Sequence, residues 1–134
     1  MKVHFIGIGG IGLSALARFL NFDGHEVSGS DMKSSLITKA LEDEGIKVFC
    51  PQSETNIKDD FDLVIYSAAV TDENPELIEA RLKQIRTLLD SFNIAAAKAD
   101  YNSYFNFFTE DAVFMGTDAT EHWDKKAYML WAKP

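Results

Sequence analysis

A glycine-rich segment near the N-terminus carries the clearest chemical pattern of the chain. Gly7-Ile8-Gly9-Gly10-Ile11-Gly12 fits the spacing G-x-G-x-x-G, directly after an apolar run and before a helical pattern. In that context Gly7 permits a tight turn, Gly9 lets the backbone approach a diphosphate, and Gly12 allows the helix to pack close to the strand. The helix presents N–H groups and a partial positive charge to an anion. The loop therefore predicts a nucleotide or diphosphate site, with a glycine turn kept only for packing as the alternative.

Two polar residues follow strands that we expect to end beside this loop. Asp31 closes the second predicted strand, where such folds place an acid against ribose hydroxyls. Ser67 opens the run Ser67-Ala68-Ala69-Val70 after the fourth strand, and small residues at this edge leave room for a ligand. The alternatives are a solvated or helix-terminal carboxylate at Asp31 and tight packing around Ser67.

Other residue types that could carry chemistry are scattered along the chain. His4, His25 and His122 lack a helix-spaced metal partner, and we expect His4 to pack within the first strand. Cys50 is the only cysteine and has no evident base beside it, so it is interpreted as structural. We predict no catalytic residue and no metal site.

Composition and charge exclude several classes of function. The chain has 134 residues, of which 46% are hydrophobic and 25% charged, as is typical of a folded domain. Its formal net charge of −8 argues against a nucleic-acid or anionic-membrane surface. No apolar stretch approaches the ~20 residues of a membrane span. We therefore expect a cytoplasmic protein with neither nucleic acid nor membrane as a partner.

The first half of the chain alternates strands and helices with short connections. Apolar runs and helical stripes predict six elements: Val3–Ile6 (strand), Ile11–Asn21 (helix), Glu26–Ser30 (strand), Ser34 to about Glu44 (helix), Lys47–Cys50 (strand) and Leu63–Tyr66 (strand). This pattern favours a parallel sheet with helices on both faces, which is an α/β fold of the Rossmann-like class.

A helical stripe then crosses the middle of the chain. Asn74 is expected to cap a helix whose first residue is Pro75. Apolar residues recur at helical spacing as far as Ala96, so one long helix is predicted from about Pro75 to Lys98. Three elements follow: a short helix over Asp100–Phe107, a strand over Asp111–Met115 ended by Gly116, and a closing helix from Ala119 to about Trp131, capped by Asp118 or Thr120.

We expect the second half to complete the sheet of the first. If the strand at 111–115 lies beside Leu63–Tyr66 through a right-handed crossover, the strand order is 3-2-1-4-5 in a three-layer fold. Five aromatic residues then pack the added layer: Phe105, Phe108, Phe114, Trp123 and Trp131. The predicted organisation is one domain over residues 1–134, as a monomer. The alternative is a strand-exchanged homodimer, because an exposed strand edge can pair with another chain.

Four separated segments resemble, in order, the N-terminal UDP-binding domain of the Mur ligase family. They are Lys2–Gly12, Val27–Asp31, Tyr66–Val70 and Asn74–Glu76, within a likeness that covers about residues 1–85. The resemblance implies that Gly9, Gly10, Ile11 and Gly12 hold the diphosphate of UDP or a UDP-sugar. It also implies that Asp31 faces the uridine side and that Ser67 lines the site.

Residues 86–134 resemble a different family, the SnoaL-like domains. The likeness lies in Leu89–Asn93, Tyr101–Phe108, Thr109–Phe114 and Trp123. SnoaL-like domains are cones of helices on a curved sheet around an apolar pocket, and their main sheet has no counterpart in this sequence. Two partial domains joined inside the helix at 75–98 predict a chimera of 1–85 with 86–134, assembled artificially. A natural fusion or a truncated product is the alternative.

The expected function is binding without catalysis. The ATPase and C-terminal domains of the ligases have no counterpart in the sequence, so we expect no enzyme activity and no required cofactor. Our first hypothesis is a Rossmann-like chimera that at most retains weak binding of a UDP-sugar or diphosphate at the glycine loop. The alternatives are an NAD(P)-binding domain of a small oxidoreductase, a natural fragment of a peptidoglycan-precursor ligase, and a structural protein whose loop binds nothing.

Overall fold

A parallel sheet forms the centre of the first unit of the chain. In the computed structural model, which describes residues 1–115 and 122–133, this unit covers Met1–Gln84. Its strands are β1 (Lys2–Ile6), β2 (Glu26–Ser30), β3 (Lys47–Phe49) and β4 (Leu63–Tyr66). They run parallel in the order β3-β2-β1-β4. The predicted α/β, Rossmann-like class is therefore confirmed.

Two helices cover one face of this sheet. Helix α1 (Ile11–Phe22) buries Ala17 and helix α2 (Leu36–Asp43) buries Leu41. Both side chains join a cluster with Val3 and Phe5, the residues of β1 that point to this face. Burial of this apolar surface supplies the main stabilisation of the unit.

The opposite face of the sheet is covered at the start of helix α3 (Pro75–Ala97) and is more polar. Asn74 caps α3 as predicted, since its Oδ1 accepts hydrogen bonds from the N–H groups of Glu76 at 3.0 Å and Leu77 at 3.2 Å. Both Glu76 and Leu77 are buried. His4 and Ile6 of β1 are also completely buried and alternate with Val3 and Phe5, so they belong to this second face.

Helix α3 matches the predicted long helix, although its apolar stripe is not buried throughout. Its observed bounds, Pro75–Ala97, agree with the prediction of about 75–98. The stripe residues Ile78, Leu82, Ile85 and Leu89 are 42–53% exposed. Periodicity thus predicted the helix correctly but not the burial of its stripe.

The second unit, Ile85–Pro134, has its own small sheet. After α4 (Tyr101–Asn106), strand β5 (Val113–Met115) pairs antiparallel with β6 (His122–Asp124), and α5 (Lys125–Trp131) follows. The prediction that 111–115 becomes the fifth strand beside β4 is therefore wrong, as is the order 3-2-1-4-5. Pairing with a strand close in sequence costs less chain entropy than pairing through a long crossover.

The closing helix is also shorter than predicted. Its observed N-cap is Asp124, whose side chain accepts a 2.7 Å hydrogen bond from the N–H of Ala127. Residues His122–Asp124 are therefore strand and cap rather than helix. The predicted helix start at Ala119, its caps Asp118 and Thr120, and the strand end at Gly116 lie outside the described residues.

Aromatic rings form the core of the second unit. Phe105 is 3% exposed and lies 6.0 Å from Phe114, whose ring is 4.8 Å from that of Phe108. The predicted packing of these rings is thus local to this unit, and Trp131 is largely exposed. A cavity of about 280 Å³ lies against this core. Its lining consists of Ala95, Ala96, Ala99, Asp100, Tyr101, Tyr104, Phe105, Tyr128 and Ala132.

Within residues 1–115 and 122–133, none of the helices combines the length and the apolar character needed to cross a membrane.

Candidate functional site

The glycine loop turns sharply at the end of β1. Gly7 has a φ of +84°, in the left-handed region that favours glycine. The N–H groups of Gly7 and Ile8 both donate to the carbonyl oxygen of Ser30, at 2.8 and 2.9 Å. The N–H of Gly10 donates to the carbonyl of Gly7 at 3.2 Å. These bonds hold the loop against the end of β2 and direct the chain into α1.

The loop ends at the N-terminus of α1, which is open to solvent. Gly10 is the N-cap residue, so no side chain at that position can accept the first-turn N–H groups. Ile11 is 84% exposed and Gly12 is also exposed. Helix geometry leaves the N–H groups of this turn without intrahelical acceptors. Together with the helix dipole, they provide a surface suited to an anion.

Asp31 lies directly against this loop, as predicted. Its Oδ2 accepts a hydrogen bond from the N–H of Gly9 at 2.9 Å. A Cβ added at Gly9 would lie 2.8 Å from Asp31 Oδ2 and 3.2 Å from Thr38 Cγ2. Gly9 therefore gives Asp31 and Thr38 room to approach the backbone.

Gly12 does not have the packing role predicted for it. A Cβ added there would meet no atom within 4 Å, so this glycine is not needed for close packing of helix and strand. The close approach occurs at Gly29 of β2 instead, where a Cβ would lie 2.5 Å from Ile8 Cδ1 and 2.8 Å from the Phe5 carbonyl oxygen. A glycine inside a predicted strand is a signal of such an approach.

Ser67 completes the edge on the other side of the loop. Its N–H donates to the Ile6 carbonyl at 3.1 Å, and its Oγ accepts from the N–H of Ala69 at 3.2 Å. A Cβ added at Gly7 would lie 3.2 Å from the Cβ of Ser67. The residues predicted to bind a ligand therefore follow β1, β2 and β4 at one edge of the sheet, where ligands bind in open α/β folds.

A buried polar network under this edge was missed by sequence reasoning. Glu76 is completely buried and accepts hydrogen bonds from the Ser30 hydroxyl, from Asn56 Nδ2 at 2.6 Å and from the Ser53 N–H at 3.2 Å. His4 Nε2 lies 3.3 Å from Glu76 Oε2. The available signal was the polar residue His4 inside an otherwise apolar strand.

His4 is more than the packing residue that the sequence predicts. Its Nδ1 lies 2.9 Å from Ser28 Oγ, and its ring stacks on Phe61 at 4.9 Å between centroids. Burial raises the pKa of the Glu76 carboxyl, but the hydrogen bonds from His4, Ser30, Asn56 and Ser53 outweigh it and hold that pKa below its usual value. Glu76 is thus a buried carboxylate that remains ionised at neutral pH.

In the described part of the chain, no cluster of three or more histidine, cysteine, aspartate or glutamate side chains could hold a metal ion. Cys50 is exposed, and partial burial of its sulfur raises the pKa of the thiol. A raised pKa lowers the reactivity of a cysteine at neutral pH. The chemistry of the site therefore centres on backbone N–H groups and the Asp31 carboxylate.

Two protein families match this chain. The Mur ligase family, catalytic domain, matches residues 2–97. The SnoaL-like domain matches residues 85–134. The two matches overlap within α3.

Known relatives resemble the first of these segments. The chain is 56% identical over 85 residues to the UDP-N-acetylmuramate–L-alanine ligase of Campylobacter curvus, covering 63% of this chain and 19% of that protein. The same ligase of Campylobacter jejuni is 58% identical over 87 residues, or 65% and 20% of the two chains. The crystal structure of the UDP-N-acetylmuramate-alanine ligase of Thermotoga maritima matches with a TM-score of 0.61 at 45% identity, covering 63% and 19%. The chain spans about a fifth of the length of the curated relatives it matches.

Proposed function

The chain belongs to the Mur ligase family, and we propose that its first unit binds the UDP part of a UDP-linked sugar at the glycine loop. The ligand class follows from the names of the relatives, which are ligases of UDP-N-acetylmuramate. The geometry of the loop supports this place of binding.

The observation that carries the proposal is the exposed N-terminus of α1 beside the Asp31 carboxylate. The first-turn N–H groups at Ile11 and Gly12 suit the two phosphates, since a helix N-terminus attracts anions. Asp31 is suited to the nucleoside end, because a carboxylate accepts hydrogen bonds from ribose hydroxyls or from a base N–H. Ser67 lines the opposite side of the same edge.

We propose binding, and not catalysis, as the role of the described residues. The Asp31 carboxylate at this edge is engaged with the Gly9 N–H. The chain covers about a fifth of the ligases it resembles, so ligation is a property of those proteins as named.

A titration tests the proposal directly. Heteronuclear NMR and thermal shift are measured with UDP and UDP-N-acetylmuramate, with NADH as the competing dinucleotide. We expect saturable shifts of the Gly9, Gly10 and Gly12 amides and a rise in melting temperature with the UDP ligands, because a ligand that binds only the native state stabilises it. Shifts with NADH and none with UDP would replace the proposal by a dinucleotide site. A spectrum unchanged by all ligands would reject a nucleotide site.

We also propose that the chain carries a natural fragment of a peptidoglycan-precursor ligase, over residues 2–97, and is not an artificial assembly. The support is the high identity of one continuous segment to natural ligases. Amplification from genomic DNA across codons 85–97, where the two family matches overlap, tests this. A single product that contains both segments is expected, and failure to recover one from any source genome would favour assembly.

A further inference from the structure

One serine connects the buried network to the glycine loop. Ser30, the last residue of β2, is completely buried. Its hydroxyl donates to Glu76 Oε2, on the face of the sheet covered by α3. Its carbonyl oxygen accepts the N–H groups of Gly7 and Ile8 at 2.8 and 2.9 Å. The side chain and the carbonyl of one residue therefore join Glu76 to the loop.

The next residue extends this connection to the proposed ligand site. Asp31 follows Ser30 directly, and its carboxylate receives the Gly9 N–H at 2.9 Å. The position of the end of β2 therefore sets three of the backbone N–H contacts of the loop. A displacement of Ser30 would move its carbonyl oxygen, which accepts from Gly7 and Ile8. It would also move the adjacent Asp31 carboxylate, which accepts from Gly9.

The remaining bonds of Glu76 make it a fixed anchor for Ser30. Its Oε1 accepts from Asn56 Nδ2 at 2.6 Å and from the Ser53 N–H at 3.2 Å. Its backbone lies in the first turn of α3, where Asn74 caps its N–H at 3.0 Å. A buried, ionised carboxylate with several donors makes strong hydrogen bonds and has little freedom to move.

We propose that Glu76 is a positioning residue for the glycine loop. Through the Ser30 hydroxyl, it holds the end of β2 at the place where the loop N–H groups and Asp31 are arranged for a ligand with a diphosphate. The inference rests on the proposed function for the ligand, but the effect on the loop can be measured without one. If Glu76 served only the stability of the fold, its loss would affect the loop amides and the other amides of the sheet alike.

The test compares Ser30→Ala with Ser28→Ala in the full chain. Ser28 lies on the same face of β2, two residues earlier, and its hydroxyl bonds to His4 Nδ1 at 2.9 Å. Each variant therefore removes one hydroxyl from the same network, but only Ser30 contacts the loop. Hydrogen exchange of the Gly7, Ile8 and Gly9 amides is measured without ligand, relative to the amides of Phe5 and Val27. UDP affinity is measured by calorimetry.

We expect Ser30→Ala to speed exchange of the loop amides about tenfold and to weaken UDP binding by a similar factor, as loss of one well-formed hydrogen bond allows. Ser28→Ala should leave both quantities nearly unchanged. Glu76→Gln, which keeps the side-chain length, should also weaken UDP binding, and adding it to Ser30→Ala should cost little more, because the two changes interrupt one connection.

Equal effects of Ser30→Ala and Ser28→Ala would overturn the inference, as would a uniform rise in exchange over all amides. Failure of the unaltered chain to bind UDP would instead reject the proposed function. The exchange measurement would still decide the role of Glu76 in that case.

Discussion

The Asp31 carboxylate lies against the loop that we propose as the ligand site, so a bound anion would compete with it. Its Oδ2 is 2.9 Å from the Gly9 nitrogen, so it already satisfies one of the loop donors. A nucleoside offers hydroxyl and N–H donors to this carboxylate, whereas a bare diphosphate offers only negative charge. Asp31 should therefore select for the nucleoside end of a ligand.

Replacement of Asp31 by asparagine should separate its hydrogen bonding to the nucleoside from its charge repulsion of the diphosphate. We expect Asp31→Asn to weaken UDP binding about tenfold, since hydrogen bonds to a charged acceptor are the stronger ones. Binding of inorganic pyrophosphate should become about threefold tighter, because a negative charge near the anion is removed. Calorimetry with both ligands measures this, with Asp43→Asn at the far end of α2 as the charge-matched control. Parallel weakening of both ligands would contradict a nucleoside role for Asp31.

Two glycines of the loop should respond differently to a methyl group. Gly9→Ala places a Cβ 2.8 Å from Asp31 Oδ2, so we expect a loss of about 1–3 kcal/mol in the free energy of unfolding. Gly12→Ala meets no atom within 4 Å, so stability should stay the same or rise by up to about 1 kcal/mol. UDP affinity should nevertheless fall in Gly12→Ala, because the methyl group enters the space proposed for the diphosphate. Urea unfolding and calorimetry check both, and undiminished UDP affinity in Gly12→Ala would place the phosphates elsewhere.

The Glu76 carboxyl should make stability depend on pH. Its pKa in the folded chain is below the ordinary value of 4.5, so its contribution is present at neutral pH and is lost as pH falls through the folded pKa. We expect Glu76→Gln to lower the free energy of unfolding by about 2 kcal/mol at pH 7. The difference from the unaltered chain should vanish at low pH, where both side chains are neutral.

Urea unfolding midpoints of the unaltered chain and of Glu76→Gln, measured from pH 7 down to acid unfolding, test this dependence. Glu42→Gln on the exposed side of α2 serves as the control, since it removes the same charge without a buried partner. Curves that stay parallel at every pH would show that Glu76 is not ionised in the folded chain.

Among the elements, strand β4 is the one whose exposed edge could pair with another chain. It is an edge of the sheet, because among the described residues it pairs only with β1. Leu63 and Tyr66 at its ends are 43% and 47% exposed. An exposed edge can pair with a second chain. The sequence analysis gave a strand-exchanged homodimer as the alternative to a monomer. We propose a different homodimer here, in which β4 pairs with β4 of a second copy.

A charge at this edge should weaken self-association. We expect the chain to form a dimer at high concentration, and Leu63→Lys to shift it towards the monomer, because lysine on an edge strand opposes pairing. Light scattering after size exclusion measures this. Leu36→Lys is the matched control, since Leu36 is 88% exposed at the start of α2. A monomer at all concentrations, or equal effects of both variants, would reject β4 as a dimer contact.

Some elements were accurately predictable and others were not. Strand β4 and the start of α1 agree with the sequence prediction, because apolar runs and glycines mark them locally. The partner of β5 was mispredicted, since a short strand carries no mark of which edge it will join. Asp124 was overlooked as a cap because Asp118 and Thr120 offered the same chemistry earlier in the chain.

At the scale of the whole molecule, the chain has two compact units, each with its own core. Both tryptophans, Trp123 and Trp131, belong to the second unit, whereas the glycine loop and Glu76 belong to the first. Tryptophan fluorescence and the loop amides therefore report on different units. We expect their thermal transitions to differ, because two separate cores need not unfold together.

Ligand should move only one of these transitions. We expect UDP to raise the midpoint seen by the Gly9 and Gly12 amides and to leave the fluorescence midpoint in place, since only the unit that binds is stabilised. Thermal scans by NMR and fluorescence with and without UDP measure this. Coincident transitions that both rise with UDP would show that the units unfold as one.

Local sequence signals are enough to define the strand–loop–helix segment that contains the glycines and the end of β2 before Asp31. The α/β class is recognisable in the same way, because these features depend on residues that lie close together in the sequence. The resemblance to the Mur ligase family was equally a matter of sequence. The residues of the candidate site, Gly7 to Gly12 with Asp31 and Ser67, are thus recognisable from their types and spacing.

The polar network beneath that site depends instead on contacts formed in the folded chain. Glu76, Ser30 and His4 are separated by dozens of residues, and their pairing depends on how the first turn of α3 packs against the sheet. The folded chain also determines that β5 pairs with β6 rather than with β4. It likewise places the close backbone approach at Gly29 rather than at Gly12. These are long-range contacts, which local periodicity and motif spacing do not encode, because they arise from the packing of surfaces that meet only in the folded chain.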